Sequence, residues 1–228
     1  MESFEEFSKN IMIAMATYNR KLITKICVEN ISKYKGLASL CIFDDHSTEY
    51  DKIDISSWGI VDSVNRFPTK LGIEDLRVQI HKVAASLKFK YIYHIDNDAY
   101  HDPNWLIRLY ELRKSHDGLL GLYNSKFHID RTLDDKGSYI LRSSCPGISY
   151  FYEVSKLGNV PTEFGKRCWD YAFGDKLCPA AISNISYVEH FGADGVHNKD
   201  FDRDRACNPS SWLVDERIRI LNILNSTR

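Results

Sequence analysis

Three short apolar runs in this chain each break off into a polar cluster: Ile11 to Ala16 into Thr17-Tyr18-Asn19-Arg20, Leu37 to Phe43 into Asp44-Asp45, and Tyr91 to Ile95 into Asp96-Asn97-Asp98. Between them, apolar residues recur at three- and four-residue spacing. One set is Leu22, Ile23, Ile26, Cys27, Ile31 and Tyr34, closed by Gly36; another is Ile73, Leu76, Ile80, Val83, Ala84 and Leu87, after Pro68 and Gly72. Continuous apolar runs of this length suit buried strands, and the other spacing suits helices laid against them. Val61 to Asn65 adds a further short strand. Strand and helix therefore alternate from the N-terminus, which predicts an α/β fold: a Rossmann-like, mostly parallel open sheet with helices on both faces and right-handed crossovers. Ligands of such sheets bind at the carboxyl ends of the strands, so the three clusters should line one crevice.

Beyond the third cluster, Asp102-Pro103 reads as an N-cap with a first-turn proline, and Trp105, Leu106, Leu109 and Leu112 continue as one helical face. The second half is less regular. Strands are expected over 118–123, 148–152 and 182–189, a polar loop over 131–137, a helix over 169–177 and an amphipathic closing helix over 212–224.

Composition narrows the classes of partner. A formal net charge of −1, with no long basic run, gives no general attraction to nucleic acid or anionic lipid. The N-terminus, Met1-Glu2-Ser3-Phe4-Glu5-Glu6-Phe7, is acidic where a secretory leader would be basic, and Ile11 to Ala16 is too short for a membrane span. A cytoplasmic location is the expectation. The six cysteines are scattered without a Cys-x-x-Cys pair, so free thiols are expected, with no disulfide framework or zinc site.

The third cluster carries the most chemistry. Along a strand, side chains alternate, so Asp96 and Asp98 should point one way and Asn97 the other. Two hard carboxylates at one point suit Mg2+ or Mn2+, ions that complete their shells with water and substrate phosphates. The same residues would also serve as a loop entry capping the next helix, and Asp44-Asp45 would serve as a surface turn.

Taken in order, these motifs resemble the GT-A-fold glycosyltransferases, most closely the family 2 type, which transfer a sugar from a nucleotide donor. The resemblance covers about residues 10 to 200. Thr17-Tyr18-Asn19-Arg20 matches the family's nucleotide-binding start; Phe43-Asp44-Asp45-His46-Ser47 resembles its Asp-Asp-Gly-Ser segment, with His46 in place of glycine; Asp96-Asn97-Asp98 falls on its Asp-x-Asp. Asp102-Pro103-Asn104-Trp105-Leu106 fits the helix that follows, and Gly147 with the next strand fits the acceptor-side segment. What this implies is a single catalytic domain over 1–228, with a nucleotide-binding half at about 10–117, a smaller acceptor-side half at about 118–205 and a C-terminal helix at about 211–225.

The implied donor contacts are Thr17, Tyr18, Asn19, Arg20, Asp44, Asp45, Asp96 and Asn97, with Arg66 or Arg77 reaching the diphosphate. Asp98 would ligate the Mn2+ or Mg2+ directly, Asp96 would hold it through water or contact the donor ribose, and His190 would complete the protein side, with His197 of His190-x-Gly-x-x-Gly-x-His197 as the other choice. The family's acidic pair near the acceptor matches Trp169-Asp170, so its first acid is missing and Asp170 would be the base. An aspartate beside backbone donors suits the imide edge of uracil, and thymine offers the same edge; a UDP-sugar is the first choice of donor, with a glycan hydroxyl as acceptor, and a single displacement would invert the anomeric centre, although retaining enzymes share this fold. Two other readings stay open. A nucleotidyltransferase would ordinarily begin with a basic, glycine-rich phosphate loop, which Ala16-Thr17-Tyr18-Asn19-Arg20 lacks. A non-catalytic nucleotide- or carbohydrate-binding domain would keep the fold without its base.

Overall fold

The computed structural model describes residues 2–34, 36–158, 176–192 and 205–226. Four strands, β1 (Ile11–Thr17), β2 (Ser39–Asp44), β3 (Ser63–Arg66) and β4 (Tyr91–Asp96), run parallel in the order β3-β2-β1-β4. The helices between them are α2 (Lys21–Ile31), α3 (Lys52–Trp58) and α4 (Ile73–Ser86); α1 (Phe4–Lys9) precedes β1. Every residue of β1 is buried, as expected of a strand covered by helices on both faces. The register sets Thr17 beside Asp44 and Ala16 beside Asp96, so the three polar clusters do meet at one sheet edge.

Past β4 the pattern changes. A short β5 (Ala99–His101) leads to α5 (Trp105–Ser115) and β6 (Leu119–Gly121); β7 (Thr132–Asp135), β8 (Tyr139–Arg142), β9 (Ser149–Glu153) and β10 (Ala180–Ser183) complete a nine-stranded mixed sheet in the order β3-β2-β1-β4-β9-β6-β10-β8-β7. A turn of helix, α6 (Val154–Leu157), follows β9. β11 (Val188–His190) leaves this sheet and pairs antiparallel with β5, and α7 (Ser211–Ser226) closes the described chain. Strand alternation divides the core. Tyr91, Tyr93 and Ile95 pack with Phe7, Trp105 and Leu213 on one face, while Ile92 packs with Leu76, Ile80, Tyr150 and Tyr152 on the other.

Several local expectations change. The stretch 131–137 is an edge strand and not a loop: β7 pairs with β8 but is exposed at every position, so no buried face stamps an apolar alternation on its sequence. The single strand expected over 182–189 is two, β10 and β11, because the chain switches sheets between them. α5 starts after the proline, and Asp102 instead accepts from the Asn104 N–H (2.7 Å) and the Ser210 hydroxyl (2.6 Å). α3 rests on a reciprocal cap between Asp51 and Asp54. Of the helix expected over 169–177, residues 169–175 lie outside the described residues. No described helix is long and apolar enough to cross a membrane, and Cys27, Cys41 and Cys207 are free thiols.

Candidate functional site

β4 ends at Asp96, and Asn97-Asp98 form the turn into β5. Strand alternation therefore does not govern Asp98, and the two carboxylates meet different partners. Asp96 shares the parity of Ile92 and His94 and ion-pairs with Arg77 of α4. Arg77 has no exposed surface, while the Asp96 side chain keeps 31% of its own. Burial pushes the Asp96 carboxyl upward, Arg77 opposes the shift, and neighbouring Asp98 adds to it.

Asp98 is held by segments far apart in sequence. Its Oδ2 accepts from Arg20 Nη1 (2.5 Å) and lies 3.2 Å from His190 Nε2. Burial alone would raise this carboxyl, but His190 and Arg20 outweigh it and hold it well below the usual carboxylate range. Arg20 Nη2 also donates to the Phe191 carbonyl (3.0 Å), and the Phe191 N–H donates to the Asp98 carbonyl (3.0 Å), which closes a ring of contacts between the β1 loop, the β4 turn and the end of β11. Asn19 (φ 52°) and Arg20 (φ 64°) both lie in the left-handed region, an unusual backbone for two successive non-glycine residues. Side chains hold it: Asn19 Oδ1 accepts from the Thr48 N–H (2.7 Å), and Asn97 Nδ2 donates to the Asn19 carbonyl (3.2 Å) and to Thr24 Oγ1 (2.7 Å). Asn97 thus braces the loop that presents Arg20.

The second cluster is spent on the protein. Asp44 is fully buried and accepts from Thr17 Oγ1 (3.3 Å), the Ser47 hydroxyl and Arg66 Nη1 (2.8 Å). Arg66 also donates to the carbonyls of Tyr50 (2.8 Å) and Ser47 (2.5 Å). Asp45 takes the backbone N–H groups of Leu71 (2.6 Å) and Gly72 (3.0 Å) at the start of α4. These groups build the crevice wall, and Arg77, sealed beneath Asp96, reaches the crevice only through that carboxylate. Tyr18 lies under Lys70, whose Nζ is 3.7 Å from the ring centroid. Asp170, Trp169 and His197 lie outside the described residues.

The cation expected here can be tested against this donor set. Among the described residues no group of three or more His, Cys, Asp or Glu side chains could hold a metal ion. Asp98 Oδ1, however, is buried without a hydrogen-bond partner, beside an Oδ2 already engaged. A carboxylate oxygen without a donor, next to an imidazole nitrogen, fits a divalent ion that takes its remaining ligands from phosphate and water.

Three contributors were missed in the sequence. Arg217 of α7 pairs with buried Glu189 (2.7 Å) and donates to the His190 carbonyl (3.5 Å), so the closing helix supports the histidine. Gly192 leaves room for the His190 ring, which a Cβ there would strike. Lys70 adds a cation at Tyr18. An isolated glycine, lysine or helical arginine carries no local signal of such a contact.

No family model and no curated relative matches this sequence. Solved structures do match its architecture. Staphylococcus aureus TarS residues 1–349 in complex with UDP-GlcNAc gives a TM-score of 0.59 at 17% identity, covering 78% of this chain and 57% of that one. A second structure of the same TarS segment gives 0.60 at 14% identity, with 81% and 61% covered. A mycobacterial protein gives 0.56 at 15% identity, with 82% and 71% covered. The chain has a GT-A fold. It spans about three-fifths of the TarS segment's length, and at these identities the likeness is one of fold. Within this GT-A sheet, Arg20, Asp96, Asp98 and His190 stand together at the carboxyl ends of β1 and β4.

Proposed function

We propose that this chain is a metal-dependent glycosyltransferase that moves a sugar from a nucleotide-diphosphate donor, a UDP-sugar first, to a hydroxyl of a glycan or related acceptor. The observation that carries the reading is the buried, unpartnered Asp98 Oδ1 beside Arg20 and His190 at the strand ends of a GT-A sheet. The TarS complexes with UDP-GlcNAc and UDP support the choice of uridine.

Asp98 and His190 would hold Mn2+ or Mg2+, with Asp96 beside them to receive the ribose or a metal-bound water. A cation there supplies positive charge to the departing diphosphate as its negative charge develops. Arg20 sits at the same carboxylate with its side chain 21% exposed, so donor binding at Asp98 would bring its guanidinium within reach of phosphate oxygens. Tyr18 and Lys70 would flank the nucleotide, and the main chain of residues 17 to 20 would meet the base edge. Asp170 would take the proton of the acceptor hydroxyl as the new glycosidic bond forms, with inversion at the anomeric carbon.

The test is release of UDP from a panel of UDP-sugars in the presence of glycan acceptors, with Mn2+ or with EDTA. Release that depends on both acceptor and cation is the expected result. Donor binding without turnover would make the chain a binding domain, and pyrophosphate release from a nucleoside triphosphate and a sugar phosphate would make it a nucleotidyltransferase.

A further inference from the structure

Beneath Asp96 lies a chain of buried polar groups that branches from one guanidinium. Arg77 is anchored at both amino ends, with Nη2 on the Asp96 carboxylate and Nη1 2.9 Å from His94 Nδ1. A guanidinium can only donate, so His94 Nδ1 must be the lone-pair nitrogen and the ring proton must sit on Nε2. That Nε2 lies 3.4 Å from the Tyr152 hydroxyl, which in turn lies 3.0 Å from His81 Nδ1. Arg77 thus donates in both directions, to Asp96 on one side and to His94 on the other, and the His94 Nε2–H is directed at the Tyr152 oxygen, which leaves the Tyr152 hydroxyl proton for His81 Nδ1. The rings stack in the same order, His94 on Tyr152 with centroids 5.8 Å apart and Tyr152 on His81 at 5.9 Å, and Tyr150 also lies against His94 at 4.5 Å. Register explains the assembly, since His94 faces Tyr150 directly across β4 and β9, on the parity that also carries Asp96. Burial, with Arg77 and His81 adding to it, holds His94 in its neutral form.

We propose that His94 is a positioning residue for the donor site: it fixes the Arg77 guanidinium through Nδ1, and Arg77 in turn fixes the rotamer of the Asp96 carboxylate. His94 itself touches no substrate. The inference rests on the reading of Asp96 as part of the donor site, but its first step, the hold on Arg77, does not.

Asparagine and leucine have the same shape and both remove the ring, yet only asparagine offers an acceptor oxygen where Nδ1 lies. His94→Asn and His94→Leu therefore separate the acceptor from the packing, and His94→Phe keeps the ring stack without the acceptor. Two readouts apply. In 15N spectra, assigned with an Arg77→Lys variant, the Arg77 Nη protons should give protected signals in wild type and His94→Asn and rapidly exchanging ones in His94→Leu. Affinity for UDP with Mn2+ should fall roughly ten- to a hundredfold in His94→Leu and His94→Phe, the usual cost of losing an orienting partner, and within about threefold in His94→Asn. Equal behaviour of Asn and Leu, or retention by Phe with loss by Asn, would show a packing role and overturn the proposal. If His94→Phe does not fold, the Asn and Leu pair decides alone. Absence of UDP binding by the wild-type protein would count against the donor-site reading, and the Arg77 signals would still decide whether His94 holds Arg77.

Discussion

Asp96 and Asp98 stand two residues apart in the sequence and are held in opposite ways. Asp96 ends a strand and is pinned from below by α4 and the β4–β9 pair, all within the packed sheet. Asp98 lies on a turn and is gripped from above by Arg20 and His190, which arrive from the two ends of the chain. The first arrangement is rigid because it is core. The second is assembled from a loop, a turn and the end of a short strand, and leaves one carboxylate oxygen unpartnered. A preformed platform beside a second carboxylate with an open oxygen would suit the proposed donor site.

The largest effect that tests this contrast is on catalysis at Asp98. Asp98→Asn should lower UDP release about a thousandfold, the equivalent of a metal contribution of several kcal/mol, while the melting temperature stays within a few degrees. A variant that unfolds would instead place Asp98 in the structural class with Asp96. Arg77→Met should show the converse, with its main effect on stability. It leaves His94 and Asp96 without their donor, and because Asp96 is partly hydrated the cost should be about 2–4 kcal/mol in urea unfolding. A change below about 0.5 kcal/mol would mean that the buried pair is not a platform.

Smaller still is Gly192→Ala, whose methyl group displaces the His190 ring. We expect Mn2+-dependent UDP affinity to fall about tenfold with little loss of stability, and an unchanged affinity would remove His190 from the Asp98 site. The mildest effect is on pH dependence. Burial drives His101, at the foot of this turn, from its ordinary 6.5 down to about 3. The unfolded chain therefore binds the proton first, so stability is fully present above pH 6.5 and falls as acid is added, by up to about 1.4 kcal/mol per pH unit for this one group. Urea titrations at pH 7 and pH 5 should show a shallower loss in His101→Gln than in wild type, and identical slopes would contradict the buried neutral state.

The same contrast governs what the sequence disclosed. β1, β2, β4, α2 and α4 were legible because each buries a full face and stamps its period on the residues, and their order placed Asp96, Asp44 and Thr17 at one edge. The alternation expected to aim Asp98 does not apply, since the strand stops at Asp96. The exposed β7 buries no face and β11, though buried, is three residues long, too short to show a period, while the protein partners that Arg77, Asp44 and Arg66 take up cannot be seen in a single arginine or aspartate. Arg217 and Gly192 act through contacts to β11 and its end made only when the chain is folded.

The most direct measurement is calorimetric binding of UDP with and without Mn2+ to the wild-type protein and to Asp98→Asn. Mn2+ should tighten UDP binding to wild type by at least about tenfold, more than 1.4 kcal/mol, and should have no effect on the variant. UDP binding that ignores Mn2+, or a Mn2+ effect that survives Asp98→Asn, would contradict a cation held at Asp98.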